Sequence, residues 1–165
     1  MKPGVKSFIF NTLPKYIKGS AIPLSVGALS ALLTRGNMSL YSDFVAPSLA
    51  PPPILFPIVW TVLYVLMGIS STTVFLHRNK NLDAAERGIK FYILSLILNF
   101  LWSPVFFNRR AFTLAFIILI ILFITVLYTV INYRRVSPVS AYLQIPYLVW
   151  LVFAAYLNLF IIILN

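Results

Sequence analysis

Cysteine is absent from this 165-residue chain, and histidine and acidic residues nearly so: one His (His77) and three acids (Asp43, Asp83 and Glu86). Without cysteine there are no disulfides and no thiolate metal sites, and the redox compartment is left unmarked. One imidazole and three scattered carboxylates supply too little for a metal cluster or for paired acid–base chemistry. Charge of either sign is also scarce, at 10% of residues, well below what the surface of a soluble domain of this length needs.

What is present is apolar. Hydrophobic residues make up 61% of the chain and the mean hydropathy is +0.94. They come in long uninterrupted runs, which points to an all-α membrane protein forming a single domain over residues 1–165. A helix crosses the hydrocarbon with about 20 mainly apolar residues. The chargeless stretches give five such spans, at about 15–34, 53–76, 91–108, 111–133 and 137–164. The first is free of charge only between Lys18 and Arg35, so Lys15 and Lys18 are expected to reach the headgroups. Lysines at 2, 6, 15 and 18 open the chain, but no small-residue cleavage site follows a clean apolar core, so the N-terminus is expected to be retained.

The one long connection joins the first two spans, residues 35–52, and closes on Pro51, Pro52 and Pro53, which suit a helix start but not a helix interior. The other links are short, so sequential helices are expected to pack as antiparallel neighbours. Of the 13 basic residues, ten fall in the N-terminal segment, residues 77–90 and the 134–135 link, all on one side of the membrane. Only Arg35, Arg109 and Arg110 fall on the other. By the positive-inside rule the N-terminus faces the cytoplasm and the C-terminus lies outside, in a cytoplasmic membrane. The sequence pI of about 10.2 is thereby read as topology and not as a nucleic-acid face; no nucleic-acid partner is expected.

Lipid needs only aliphatic residues and phenylalanine on a helix surface, so polar, Trp and Tyr positions inside the spans carry the information. Three helices place them at helical spacing: Phe56, Trp60 and Tyr64 on the second; Ser95, Asn99, Trp102 and Phe106 on the third; Pro146, Trp150, Ala154 and Asn158 on the fifth. Interfacial belts explain tryptophans this deep poorly, so all three are assigned to a cavity wall. Asn99 and Asn158 suit either that wall or hydrogen bonding between helices. The alternating topology brings the stripes together beneath the long first loop, as a pocket for a large, flat, mostly apolar ligand. Pro104 and Pro146 are expected to kink their helices, and Gly27 with Ala31 to let the first helix pack closely.

Three motifs occur in order. Tyr41, Pro47, Pro51, Pro52 and Phe56 lead into VWTVLY (59–64); LNFLWSPVFF follows at 98–107; PYLVW (146–150) continues through Phe153, Ala154, Leu157 and Asn158. Together they resemble the translocator protein family, also called tryptophan-rich sensory proteins or peripheral benzodiazepine receptors. The resemblance implies a five-transmembrane-helix bundle with a long loop between helices 1 and 2. It also implies a receptor or sensor pocket for tetrapyrroles (protoporphyrin IX, haem) and synthetic isoquinoline-type ligands, with no cofactor required and no metal. Carried over by position, Tyr41 and Pro52 belong to the capping loop, and Trp60, Tyr64, Asn99, Trp102, Trp150 and Ala154 to the walls. Two further activities come with the resemblance. One is light-dependent porphyrin degradation, with Trp60 and Trp150 as redox candidates in place of a catalytic acid or base; the other is transport of tetrapyrrole or lipid. A homodimer surrounded by membrane lipid is the implied assembly. The chain departs from the family at Leu40 and Leu49, where tryptophan is usual, at Ala46, where lysine is, and at Ser95, where glutamine is. No basic residue follows Tyr156, so sterol binding at the C-terminus is not expected.

Overall fold

The computed structural model describes residues 11–37 and 50–164, so the first-loop positions Leu40, Tyr41, Ala46 and Leu49 lie outside it. Five long helices account for nearly all of the rest: α1 (Leu13–Thr34), α2 (Leu55–Leu76), α3 (Leu82–Ser103), α4 (Phe112–Arg134) and α5 (Pro138–Leu164). Each is long and apolar enough to cross a membrane. In hydrocarbon every backbone N–H and C=O must find its partner inside the segment, and a helix does this for any apolar sequence.

The helix ends follow local chemistry. Pro14 sits in the first turn of α1, where its missing N–H is not needed. The Pro52 carbonyl accepts the N–H of Leu55 at 2.9 Å and so opens α2. α3 starts at Leu82, nine residues before the chargeless run that marks it in the sequence. There the Asn81 side chain accepts the Ala84 N–H at 3.1 Å, and Asp83 lies in the first turn, where the helix dipole favours an acid. The basic 77–90 segment is therefore mostly helix, with a short link holding the 3-10 turn Arg78–Lys80, and Arg87 and Lys90 project from α3. Pro104 does not merely kink α3. The α-helix gives way there to a π-helical turn, Pro104–Asn108, closed by Arg109 N–H to the Pro104 carbonyl at 3.1 Å. Pro146, by contrast, is accommodated within a continuous α5.

Around the bundle the order is α1, α2, α5, α4, α3, with α3 closing back on α1. The sequential pairs α1–α2, α3–α4 and α4–α5 pack as the short links predict. The α2–α3 pair does not: the two helices approach only sparsely, and α2 takes α5 as its second neighbour. A short link constrains one end of a helix pair and leaves the rest free to diverge, and here the separation is filled by long side chains reaching across the bundle.

The close packing of α1 on α2 rests on residues without bulk. A Cβ on Gly68 would collide with the backbone of Ser20, and one on Gly27 with the Tyr64 ring. Tyr16 adds a 3.2 Å hydroxyl contact to Thr73 at the N-terminal end. Small residues allow such approach because association in lipid is driven by van der Waals fit and hydrogen bonds, with no hydrophobic force between helices. At the same end α2 is tied to α5: Ser70 donates to the Ser140 carbonyl at 2.8 Å, and Gln144 donates to the Ser70 hydroxyl at 3.2 Å. On α4 the buried Thr125 and Thr129 return their hydroxyls to carbonyls one turn back, at 2.7 and 3.0 Å, and so carry no unsatisfied group into the apolar packing.

Gly68→Val is expected to destabilise the protein by about 1–3 kcal/mol, the usual cost of overpacking. Gly36→Ala, at a position with open space around it, is expected to be neutral. Thermal unfolding of the two variants in detergent checks the contrast.

Candidate ligand-binding site

A cavity of about 480 Å³ lies inside the half of the bundle nearest the first loop. Its walls come from α1, α2, α3 with its π turn, and α5; α4 contributes nothing. On α2 the i, i+4, i+8 spacing puts Phe56, Trp60 and Tyr64 on one face, and that face meets Trp150 of α5. Trp60 stacks on Tyr64 (centroids 5.5 Å apart, planes 29°) and stands edge-on to Trp150 (6.4 Å, 88°), which itself meets Phe56 edge-on (5.9 Å, 70°). Opposite them α3 presents Trp102, stacked on Phe106 at 5.1 Å and edge-on to Phe107 at 6.2 Å. These are the offset and T-shaped geometries that aromatic quadrupoles favour. The π turn sets this second wall, because it carries Phe106 and Phe107 onto the cavity just beyond Trp102.

The bottom of the cavity is a chain of three polar side chains. The Tyr64 hydroxyl donates to Asn99 Oδ1 at 2.9 Å, and Asn99 Nδ2 donates to the Tyr147 hydroxyl at 2.8 Å. All three are buried, Asn99 to 3% and Tyr147 to 1% exposure. Each helix therefore gives up one polar side chain and each finds its partner on a neighbour. Among the described residues no charged side chain lines the cavity. Among the described residues no group of His, Cys, Asp or Glu is placed to hold a metal.

Of the positions marked in the sequence, Trp60, Tyr64, Asn99, Trp102, Trp150 and Ala154 all stand on this one cavity. Pro52 does not; its carbonyl is engaged in starting α2, and its neighbour Pro53 takes the place on the wall. Tyr41 falls outside the described residues. Ser95 and Pro146, at the N-terminal ends of their stripes, lie off the cavity, and the Ser95 hydroxyl is returned to the Tyr92 carbonyl at 2.7 Å. The two asparagines part company. Asn99 ties helices together and lines the cavity, whereas Asn158 lines it with no hydrogen-bond partner among the described residues.

Two features escape the stripe pattern. Tyr147 lies behind Trp60, edge-on at 6.0 Å, and anchors Asn99 from a position one residue off the α5 stripe. More of the wall is missed on α1, which lends Leu24, Gly27, Ala28, Ser30, Ala31 and Thr34. The signal for it is present, since Gly27 and Ala31 mark the close-packing face. Small residues on one face bring the helix near its neighbour and also leave room beside the aromatics, and only the second effect makes a wall.

The TspO/MBR family profile matches residues 20–164. The chain belongs to the TspO/MBR family. Among curated relatives it is 34% identical to the tryptophan-rich protein TspO of Chlorobaculum tepidum over 86% of this chain and 90% of that one. It is 32% identical to protein CrtK of Rhodobacter capsulatus over 80% of this chain and 81% of that one. With the translocator protein of Ovis aries it shares 33% identity over 83% of this chain and 82% of that one. Five apolar helices and this membership make the chain an integral membrane protein.

Removing the centre of the polar chain should cost more than removing an end. Asn99→Leu takes away two interhelical hydrogen bonds and strands two tyrosine hydroxyls, whereas Tyr147→Phe removes one bond and one hydroxyl. With about 0.6–2 kcal/mol for each such bond in a membrane bundle, Asn99→Leu is expected to lower the unfolding midpoint about twice as far. Parallel thermal melts in detergent measure this.

Proposed function

We propose that the protein is a membrane receptor or sensor that binds tetrapyrroles such as protoporphyrin IX and haem, and similar flat apolar ligands, in the cavity between α1, α2, α3 and α5. One observation carries this reading: two aromatic walls, Trp60 with Trp150 and Trp102 with Phe106, face a cavity of about 480 Å³ that no charged side chain among the described residues lines. That volume lies within the ordinary range for small-molecule sites, about 300–1,000 Å³. Flat ligands gain both area burial and ring stacking against such walls. Gly27, Ala28, Ser30 and Ala31 keep much of the α1 side of the cavity free of bulky side chains. The relatives' printed names speak of tryptophan-rich and sensory proteins, in keeping with a binding role. For orientation, the ten-to-three bias of basic residues supports a cytoplasmic N-terminus in a cytoplasmic membrane.

Protoporphyrin IX should quench the tryptophan fluorescence of the purified protein saturably. Trp150→Leu, which removes the residue joining the α2 and α5 walls, is expected to weaken binding about tenfold or more, the equivalent of about 1.4 kcal/mol. Unchanged affinity in that variant would dispose of the cavity as the site.

A second reading is favoured by the Trp60–Trp150 pair itself. Two indoles 6.4 Å apart on the wall of a porphyrin site are placed to give an electron to a photoexcited ligand, which hands it on to dioxygen. Taking one back from the ligand then leaves the ligand oxidised and the indoles restored. Among the described residues no carboxylate, His, Lys or Arg lines the cavity, so turnover would come from ligand photochemistry with dioxygen as the oxidant. Under illumination in air the protein–porphyrin mixture should lose its Soret band and gain bilin-like absorbance, several-fold faster than porphyrin in detergent alone. Trp60→Phe with Trp150→Phe should return the rate to that of detergent; an unaltered rate would rule the indoles out.

A further inference from the structure

The polar atoms of the cavity divide along its length. At the Tyr64–Asn99–Tyr147 level the side chains are bonded to one another. Toward the first-loop end they are not. The Asn158 amide is 1% exposed, and among the described residues neither its nitrogen nor its oxygen has a hydrogen-bond partner. The buried hydroxyl of Ser30 and the buried indole N–H groups of Trp102 and Trp150 lack one too. All four residues stand on the cavity. Asn158 is eleven residues beyond Tyr147 on α5, about 16 Å of helix. Trp102 and Ser30 are each three residues beyond the polar level, counted from Asn99 and from Gly27, whose Cα packs on Tyr64.

A buried amide with nothing to bond is costly, and leucine at position 158 would remove that cost. Helix-to-helix bonding does not account for the asparagine, since its amide makes no such bond among the described residues. Its chemistry points to a ligand group instead. A side-chain amide carries a donor and an acceptor side by side, and a single group with the complementary pair, such as a carboxamide, a lactam or an un-ionised carboxyl, satisfies both at once. An ester accepts but cannot donate. An ionised carboxylate would set negative charge against the amide oxygen, and among the described residues the cavity wall has no Lys or Arg to balance it.

We propose that the first-loop end of the cavity recognises one polar edge of its ligand. Asn158 pairs with a neutral group on that edge that bears a donor beside an acceptor, and Ser30, Trp102 and Trp150, about one turn beyond the polar level, donate to acceptors nearer the ligand's middle. The ligand lies with its apolar edge toward Tyr64 and its polar edge toward the loop. This rests on the receptor reading above and adds the class of group recognised and the direction in which the ligand lies.

The test compares three forms of one probe, protoporphyrin IX as its dimethyl ester, its diamide and its free diacid, by tryptophan quenching of the purified protein at pH 8. The diamide is expected to bind about tenfold more tightly than the dimethyl ester and more tightly than the diacid. Asn158→Leu should bring the diamide down to the ester's affinity and leave the ester unchanged. Should that variant fail to fold, the wild-type ester-to-diamide ratio and Ser30→Ala, expected to weaken both forms equally, decide the matter. Equal binding of ester and diamide by the wild type, a preference for the diacid, or an undiminished diamide preference in Asn158→Leu would overturn the inference while leaving the receptor reading intact. Failure of all three porphyrins to quench saturably would overturn the receptor reading itself.

Discussion

The hydrogen-bonded chain from Tyr64 through Asn99 to Tyr147 joins α2, α3 and α5 at one level, and the interior is organised around it. Polar side chains inside a membrane bundle need partners, because the alternative is an unsatisfied group in a medium that offers none. Here three helices each place one polar residue at the same depth, and the bonds between them set the rotation and register of the helices. Once those are set, the residues one and two turns toward the first loop, Trp60 on α2, Trp102 on α3, Trp150 and Ala154 on α5, have no choice but to face the same space.

The separation of α2 from α3 follows from the same arrangement. A bond mediated by a tyrosine side chain holds two helices at a distance that direct packing would close. The space is then bounded by α1, whose Gly27 approaches the Tyr64 ring and whose Ala28 and Ala31 keep its inner surface flat. Breadth on one side and aromatic surface on the other are thus consequences of two residue types, small on α1 and large on α2, α3 and α5. The π turn at Pro104 extends the aromatic side by bringing Phe106 against Trp102.

Membership of the TspO/MBR family accords with this interior. Departures from the family pattern at Leu40, Ala46 and Leu49 fall in the first loop, and that at Ser95 falls below the polar level, where its hydroxyl is returned to its own helix. The cavity walls carry the aromatic and asparagine positions of the three sequence motifs, Trp60, Tyr64, Asn99, Trp102, Trp150 and Asn158 among them. A receptor role draws on the shape and chemistry of those walls, and the photochemical role draws on the proximity of two indoles within them.

Much of this was legible in the residues alone. Five spans followed from run length, because lipid leaves a helix as the only way to hide a chain's backbone. The wall positions on α2, α3 and α5 followed from helical spacing, because lipid-facing surface does not require tryptophan or asparagine. Helix starts were less legible: α3 begins at Leu82 by virtue of the Asn81 cap and runs through charged residues that a hydropathy reading assigns to a loop. What only the tertiary structure decided was who meets whom. The order of helices around the ring, the part of α1 in the wall, the place of Tyr147 behind Trp60, and the contrast between a bonded Asn99 and an unbonded Asn158 all depend on the distances between helices. Periodicity along one helix determines which residues share a face; it holds no information about what stands opposite that face, because that distance is set by the side chains of the other helices.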